Sequence, residues 1–159
     1  MQSDLANILK TPPSEFPNLL NIWEASVRAT HDFLNEQQVA QIKALIIQHN
    51  YFDHVQLFHV EREGKIAGFL GLAYKKIEML FVHPDFFNLG IGSILIQKAF
   101  ELKATDVDVD EQNPKALAFY KKHYFQQVAR SELDAEGNPF PILHLKLKSE
   151  EVTPLKYVD

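Results

Sequence analysis

Apolar residues recur along this chain with two periods, and the switches between them predict its elements. Leu19, Leu20, Ile22, Trp23 and Val27 fall on one side of a first helix expected to end near Ala29-Thr30. Val39, Ile42, Leu45 and Ile46 repeat that spacing in a second helix, from about Asn35 or Glu36 to Gln48. Period two then takes over. Gln56 to Val60 alternates, Arg62-Glu63-Gly64-Lys65 is a turn signal, and Ile66 to Leu72 returns as the partner strand. Gly68 and Gly71 inside that strand suggest a bulge or a close neighbour. Ile77-Glu78-Met79-Leu80-Phe81-Val82 is apolar apart from Glu78 and reads as a mostly buried strand, with Glu78 on the side of Leu80 and Val82. Short turns make these three strands an antiparallel meander. A short strand over Ala6 to Lys10 is expected before the first helix.

The stretch from Ile77 to Leu102, strand, glycine turn and helix, organises the chain. His83-Pro84-Asp85-Phe86-Phe87-Asn88-Leu89 leads into Gly90-Ile91-Gly92-Ser93, and apolar positions 91, 94, 95, 99 and 102 then mark one helical face. Gly90 and Gly92 permit a turn that a Cβ would block. Such a turn leaves first-turn N–H groups pointing one way at the positive end of the helix dipole, which suits a phosphate. Asp106-Val107-Asp108-Val109-Asp110 alternates strictly and reads as a strand, so the pattern strand, helix, strand predicts a parallel pair. Asn113 as N-cap and Pro114 at the first position start a helix that ends near Lys122-His123. Gln126 to Ser131, a turn at Asp134-Ala135-Glu136-Gly137-Asn138, and Ile142 to Lys148 form a final hairpin. Residues 149–159 are a polar, Pro-containing tail of the kind that stays disordered.

Composition narrows the function. The chain has 159 residues, enough for one domain over 1–148 with a core of its own. It has no Cys, so neither a disulfide framework nor a thiolate metal site is open to it. The seven His show no metal-ligand spacing, and no metal is expected. A net charge of −5 argues against a nucleic-acid partner. The apolar runs are too short to span a membrane, and the first residues lack a secretory pattern, so the expected location is cytoplasmic. A dinucleotide fold is excluded because Leu95 fills the place of its third glycine, and no P-loop is present.

The element order and residues resemble the GNAT acetyltransferases. Leu80-Phe81-Val82-His83-Pro84 followed by Gly90-Ile91-Gly92 is similar to that superfamily's acyl-CoA motif, and Asn113 to Lys122 with Phe125 is similar to its second motif. Ala29-Thr30-His31-Asp32-Phe33-Leu34 and Arg130-Ser131-Glu132 bring the resemblance closer to its YjaB-like branch. Phe87 and Asn88 depart from it, standing where a Gln or Arg and a Gly are usual.

The resemblance implies an α/β (α+β) GNAT fold: a mixed, mostly antiparallel sheet of about seven strands, its central parallel pair splayed to hold acyl-CoA, flanked by about four helices. It implies an N-acetyltransferase that moves the acetyl group of acetyl-CoA to a primary amine by direct attack. The cofactor would be held by Leu80, Phe81, Val82, Phe87, Asn88, Leu89, Gly90, Ile91, Gly92, Ser93, Asn113, Lys115, Ala116, Phe119 and Tyr120. Tyr120 would be the acid that protonates the leaving thiolate, Glu78 or His31 the base, and Thr30, His31, Phe33 and Phe140 would meet the unidentified amine acceptor. Each also has a plain account: Tyr120 as a core aromatic, Asn113 as a helix cap, Glu78 as a solvated strand residue, His31 as a turn residue. A non-catalytic acyl-CoA-binding or interaction module is the rival function, and the resemblance leaves a homodimer open.

Overall fold

The computed structural model describes residues 8–148. Ala6 and Asn7 of the expected first strand and the polar tail, 149–159, lie outside the described residues. Seven strands and four α-helices are present among the described residues, in the expected order. They are β1 (Ile8–Lys10), α1 (Phe16–Thr30), α2 (Glu36–Gln48), β2 (Gln56–Arg62), β3 (Lys65–Ala73), β4 (Lys76–Val82), α3 (Ile91–Glu101), β5 (Asp106–Asp110), α4 (Pro114–Lys122), β6 (Phe125–Ser131) and β7 (Ile142–Leu147). They fall into two compact units, one up to Ala104 and one from Thr105.

In the first unit, β1, β2, β3 and β4 pair antiparallel in chain order. The β2–β3 turn has both central residues, Glu63 and Gly64, in the left-handed region, at φ 56° and 76°. That is the two-residue hairpin whose twist matches its strands. One face buries Leu57, Phe69 and Met79 against Leu19, Ile22, Trp23 and Val27 of α1 and Val39 and Ile46 of α2. The other face packs on α3, whose Lys98 ammonium sits 5.0 Å from the ring of Phe58. α3 buries more than its predicted stripe, because Ile96 is also fully enclosed. α2 starts on a capping box: Asn35 accepts from the Gln38 N–H while the Gln38 side chain accepts from the Asn35 N–H.

Both features expected of the β3 glycines are found. A Cβ on Gly68 would lie 2.9 Å from the Phe81 carbonyl oxygen, so the two backbones approach too closely for any other residue. At Gly71 the pairing slips: Gly71 opposes Met79 and Leu72 opposes Ile77, leaving Glu78 as the extra residue of a β-bulge. This corrects the expected side of Glu78. A bulge breaks strand alternation, so Glu78 turns away from the side of Leu80 and points at Tyr51, in the short turn after α2.

In the second unit β7 lies between β5 and β6, antiparallel to both. Val107 faces Leu145 and Val109 faces Leu143 across the ladder, and all four are buried. α4 packs against β5 and β6. Its Tyr120 ring meets Phe125 edge-on, centroids 5.6 Å apart. Alternation puts Asp106, Asp108, His144 and Lys146 on the opposite face.

Candidate active site

The turn ahead of α3 has the predicted conformation at Gly90, while Gly92 lies inside the helix and is not among the residues with positive φ. Gly90 caps the helix at φ 81°, where an L side chain is strained, and Asn88 is also left-handed at φ 63°. Asn tolerates that region better than other side chains. The departure at Asn88 therefore preserves the backbone path. The Gly90 carbonyl accepts from the Ile94 N–H at 3.1 Å, and no side chain caps the helix start. The amides of Ile91 and Gly92 lie in the first turn, where a helix supplies no acceptor. Asn88, Leu89 and Gly90 are exposed, so an anion can reach them. Phe87 is half-buried and extended, its N–H donating to the Pro84 carbonyl. It adds no cation. Leu80, Phe81 and Val82 end β4 half-buried, with Phe81 packed on Phe69.

The link between α1 and α2 gathers three of the residues assigned to the acceptor. The Thr30 hydroxyl donates to the Ser26 carbonyl at 2.8 Å and lies 2.8 Å from His31 Nδ1. Its proton is committed to that carbonyl, so His31 Nδ1 is the donor and Nε2 the nitrogen able to take a proton in the neutral ring. The His31 ring lies tilted against Phe33, centroids 5.3 Å apart. Glu78 accepts from the Tyr51 hydroxyl at 3.4 Å. Burial raises the Tyr51 pKa, and the Glu78 charge beside it adds to the rise. The pairing of Tyr51 with Glu78 was not visible in the sequence, because it depends on the bulge.

In the second unit Asn113 caps α4, accepting from the Ala116 N–H at 3.2 Å. Tyr120 is 7% exposed, and burial pushes its phenol well above the usual tyrosine range. Among the described residues every fully buried side-chain polar atom has a hydrogen-bond partner. The Tyr120 hydroxyl makes no hydrogen bond there, so its oxygen is one that a small molecule can touch. Lys115 is exposed on the first turn of α4, Phe119 is half-buried against His123, and Phe140 is half-buried in the β6–β7 loop. No group of His, Asp and Glu able to hold a metal occurs among the described residues. No helix there is long and apolar enough to cross a membrane.

Comparison with known proteins supplies the family. The sequence profile of the acetyltransferase (GNAT) domain matches residues 53–127. The peptidyl-lysine N-acetyltransferase YjaB of Salmonella typhimurium is 35% identical over 143 residues, 89% of this chain and 97% of that protein. The solution structure of apo-form YjaB from Escherichia coli superposes with a TM-score of 0.79 at 33% identity, covering 89% of this chain and 96% of that one. The PaiA N-acetyltransferase of Thermoplasma acidophilum, solved with coenzyme A, shares the fold at a TM-score of 0.65 and 17% identity, over 87% of this chain and 97% of that one. Glycine turn, Asn113-capped α4, element order and these likenesses agree, and the chain belongs to the GNAT acetyltransferase family.

Proposed function

We propose that residues 1–148 form one acetyltransferase domain, acting in the cytoplasm, that moves an acetyl group from acetyl-CoA to the side-chain amine of a lysine in a peptide or protein. The observation that carries this reading is the left-handed pair Asn88 and Gly90, which opens the α3 amides to a diphosphate. The lysine acceptor rests on the names of the YjaB relatives, and acetyl-CoA on the coenzyme bound by fold neighbours.

In this reading the amides of 88–93 hold the diphosphate, backbone groups near Val82 bond the pantetheine arm as an added strand would, and Asn113 is a further hydrogen-bonding partner for the cofactor. An alkylammonium has a pKa of about 10.4 and cannot attack until it loses a proton. Glu78, acting through water, and His31 Nε2 are the two candidates of the first unit assigned to take it. Tyr120 gives its proton to the leaving sulfur. Burial makes this phenol a weaker acid, but a thiolate beside it is desolvated too and holds a proton more tightly, so the transfer stays near balance.

A non-catalytic binding module is the second reading, favoured by Phe87, which replaces a polar side chain at the cradle. The two separate in one assay. The chain is incubated with acetyl-CoA and a panel of amines and lysine peptides, and free thiol is read chromogenically, with no cysteine to add background. Thiol release marks the enzyme; heat of CoA binding without thiol release marks the module. Tyr120→Phe should lower kcat by about 10- to 100-fold with little change in KM for acetyl-CoA.

A further inference from the structure

The face of the second unit away from α4 carries a chain of polar side chains across three strands. The Ser131 oxygen of β6 lies 2.7 Å from His144 Nε2 on β7, and His144 Nδ1 lies 2.7 Å from Asp108 Oδ1 on β5. A carboxylate only accepts, so Nδ1 carries the hydrogen it donates to Asp108. The neutral ring then presents its Nε2 lone pair, which accepts from the Ser131 hydroxyl. This is the arrangement of an imidazole readied as a base: one nitrogen anchored by a carboxylate, the other engaged by a hydroxyl that can swing away.

The next rung is different. Lys146 and Asp106 form a plain ion pair at 2.8 Å, and the Thr105 hydroxyl donates to the other Asp106 oxygen at 2.6 Å. Asp106, Asp108 and Asp110 lie along β5 beside the ring, and Lys146 lies on β7. Arg130 of β6 is tied to Glu111 by two bonds of 2.9 Å, with Glu132 3.9 Å away. Carboxylates of β5 line this face, and carboxylates favour the approach of an ammonium. The His144 and Asp108 side chains are each 35% exposed, so a substrate can reach them.

We infer that His144, oriented by Asp108, is the base that takes the proton of the acceptor's ammonium. This rests on the acetyl-transfer reading. The relay shares its unit with Asn113 and Tyr120, and β5, which bears Asp108, runs directly toward the Asn113 cap. Tyr120 belongs to the opposite face of the same three-stranded sheet, so the incoming amine and the leaving thiolate meet their groups from opposite sides. One ammonium proton passes to Nε2, and the freed nitrogen pair attacks the acetyl carbonyl carbon. The C–S bond breaks and sulfur takes the Tyr120 proton. The nitrogen of the new amide gives up its surplus proton, which returns to the Tyr120 oxygen through water, and the imidazolium releases its own to solvent. Asp108 is a positioning residue.

The test uses the full chain, acetyl-CoA and a Gly-Lys-Gly peptide blocked at both ends, with thiol release followed as kcat/KM against pH and CoA binding by calorimetry. His144→Gln should lose about 100-fold or more and lose the acidic limb of the profile, with CoA heat intact. Asp108→Asn, which keeps the ring but favours the wrong tautomer, should lose at least about tenfold and move that limb. Turnover in His144→Gln with the limb unchanged overturns the assignment alone, as does a limb that vanishes instead in Glu78→Gln or His31→Gln. So does an acetyl group recovered on Ser131 by mass spectrometry, which would make the serine a nucleophile. No thiol release by the unaltered chain, with CoA heat present, overturns both this assignment and the acetyl-transfer reading.

Discussion

β4 and β5 each carry a carboxylate assigned to chemistry, and they place it by opposite means. β5 alternates without a break, so Asp106, Asp108 and Asp110 share one face while Val107 and Val109 are buried on the other. β4 is nearly all apolar, and one extra residue at its bulge decides where Glu78 points. A regular strand sets side-chain direction through the pleat, and a bulged strand sets it through the partner that opposes it. Glu78 is therefore legible only from β3, where the register slips between Gly71 and Leu72.

The strongest break of this comparison is on β7, where the two faces of the second unit can be weighed against each other. Leu145 is 1% exposed opposite Val107, and Leu145→Ala should cost about 2–5 kcal/mol in urea unfolding. Its neighbour Lys146 is exposed and paired with Asp106 on the polar face, and Lys146→Ala should stay within about 0.5 kcal/mol. Equal losses would mean that the polar face is packed rather than open, and the relay unreachable.

That alternation was readable from residues 106–110 alone, and so were the turn at Glu63-Gly64, the cap at Asn113 and the glycine start of α3, since each is a local rule with a local signature. What stayed hidden is long-range. Asp108, His144 and Ser131 lie as far as 36 residues apart in sequence, and only the placing of β7 between β5 and β6 brings them together. Tyr51 and Glu78 meet for a similar reason, across 27 residues and through a bulge that apolar periodicity does not encode. The resemblance to the family carried the fold and the cradle. It named no residue on β7.

A smaller loss sharpens the β4 side. A methyl on Gly68 would meet the Phe81 carbonyl oxygen at 2.9 Å and the Ile91 side chain at 3.0 Å. Gly68→Ala should cost about 1–3 kcal/mol, because backbone rather than a flexible side chain must shift. Ile91 opens α3, so the same variant should weaken CoA binding by calorimetry. Gly90→Ala meets no atom within 4 Å but must hold φ 81°, which should cost about 1 kcal/mol through backbone strain alone. A larger loss at Gly90 than at Gly68 would mean that the cradle, not the strand approach, limits this region.

The smallest effect reads the bulge itself. Tyr51 has a pKa raised first by burial and then by the Glu78 charge and hydrogen bond. A tyrosine whose folded value lies above its unfolded value of about 10 stabilises the fold fully below that pH, and the contribution is lost as pH rises through the folded value. Tyr51→Phe should therefore flatten the fall of stability above about pH 10. Glu78→Gln removes the charge but leaves the burial, so the phenolate band assigned to Tyr51, by difference against Tyr51→Phe, should appear at lower pH while remaining above the ordinary range. A band that does not move would mean that Glu78 points away from Tyr51. The bulge would then not aim that carboxylate, and β4 would follow the same alternation as β5.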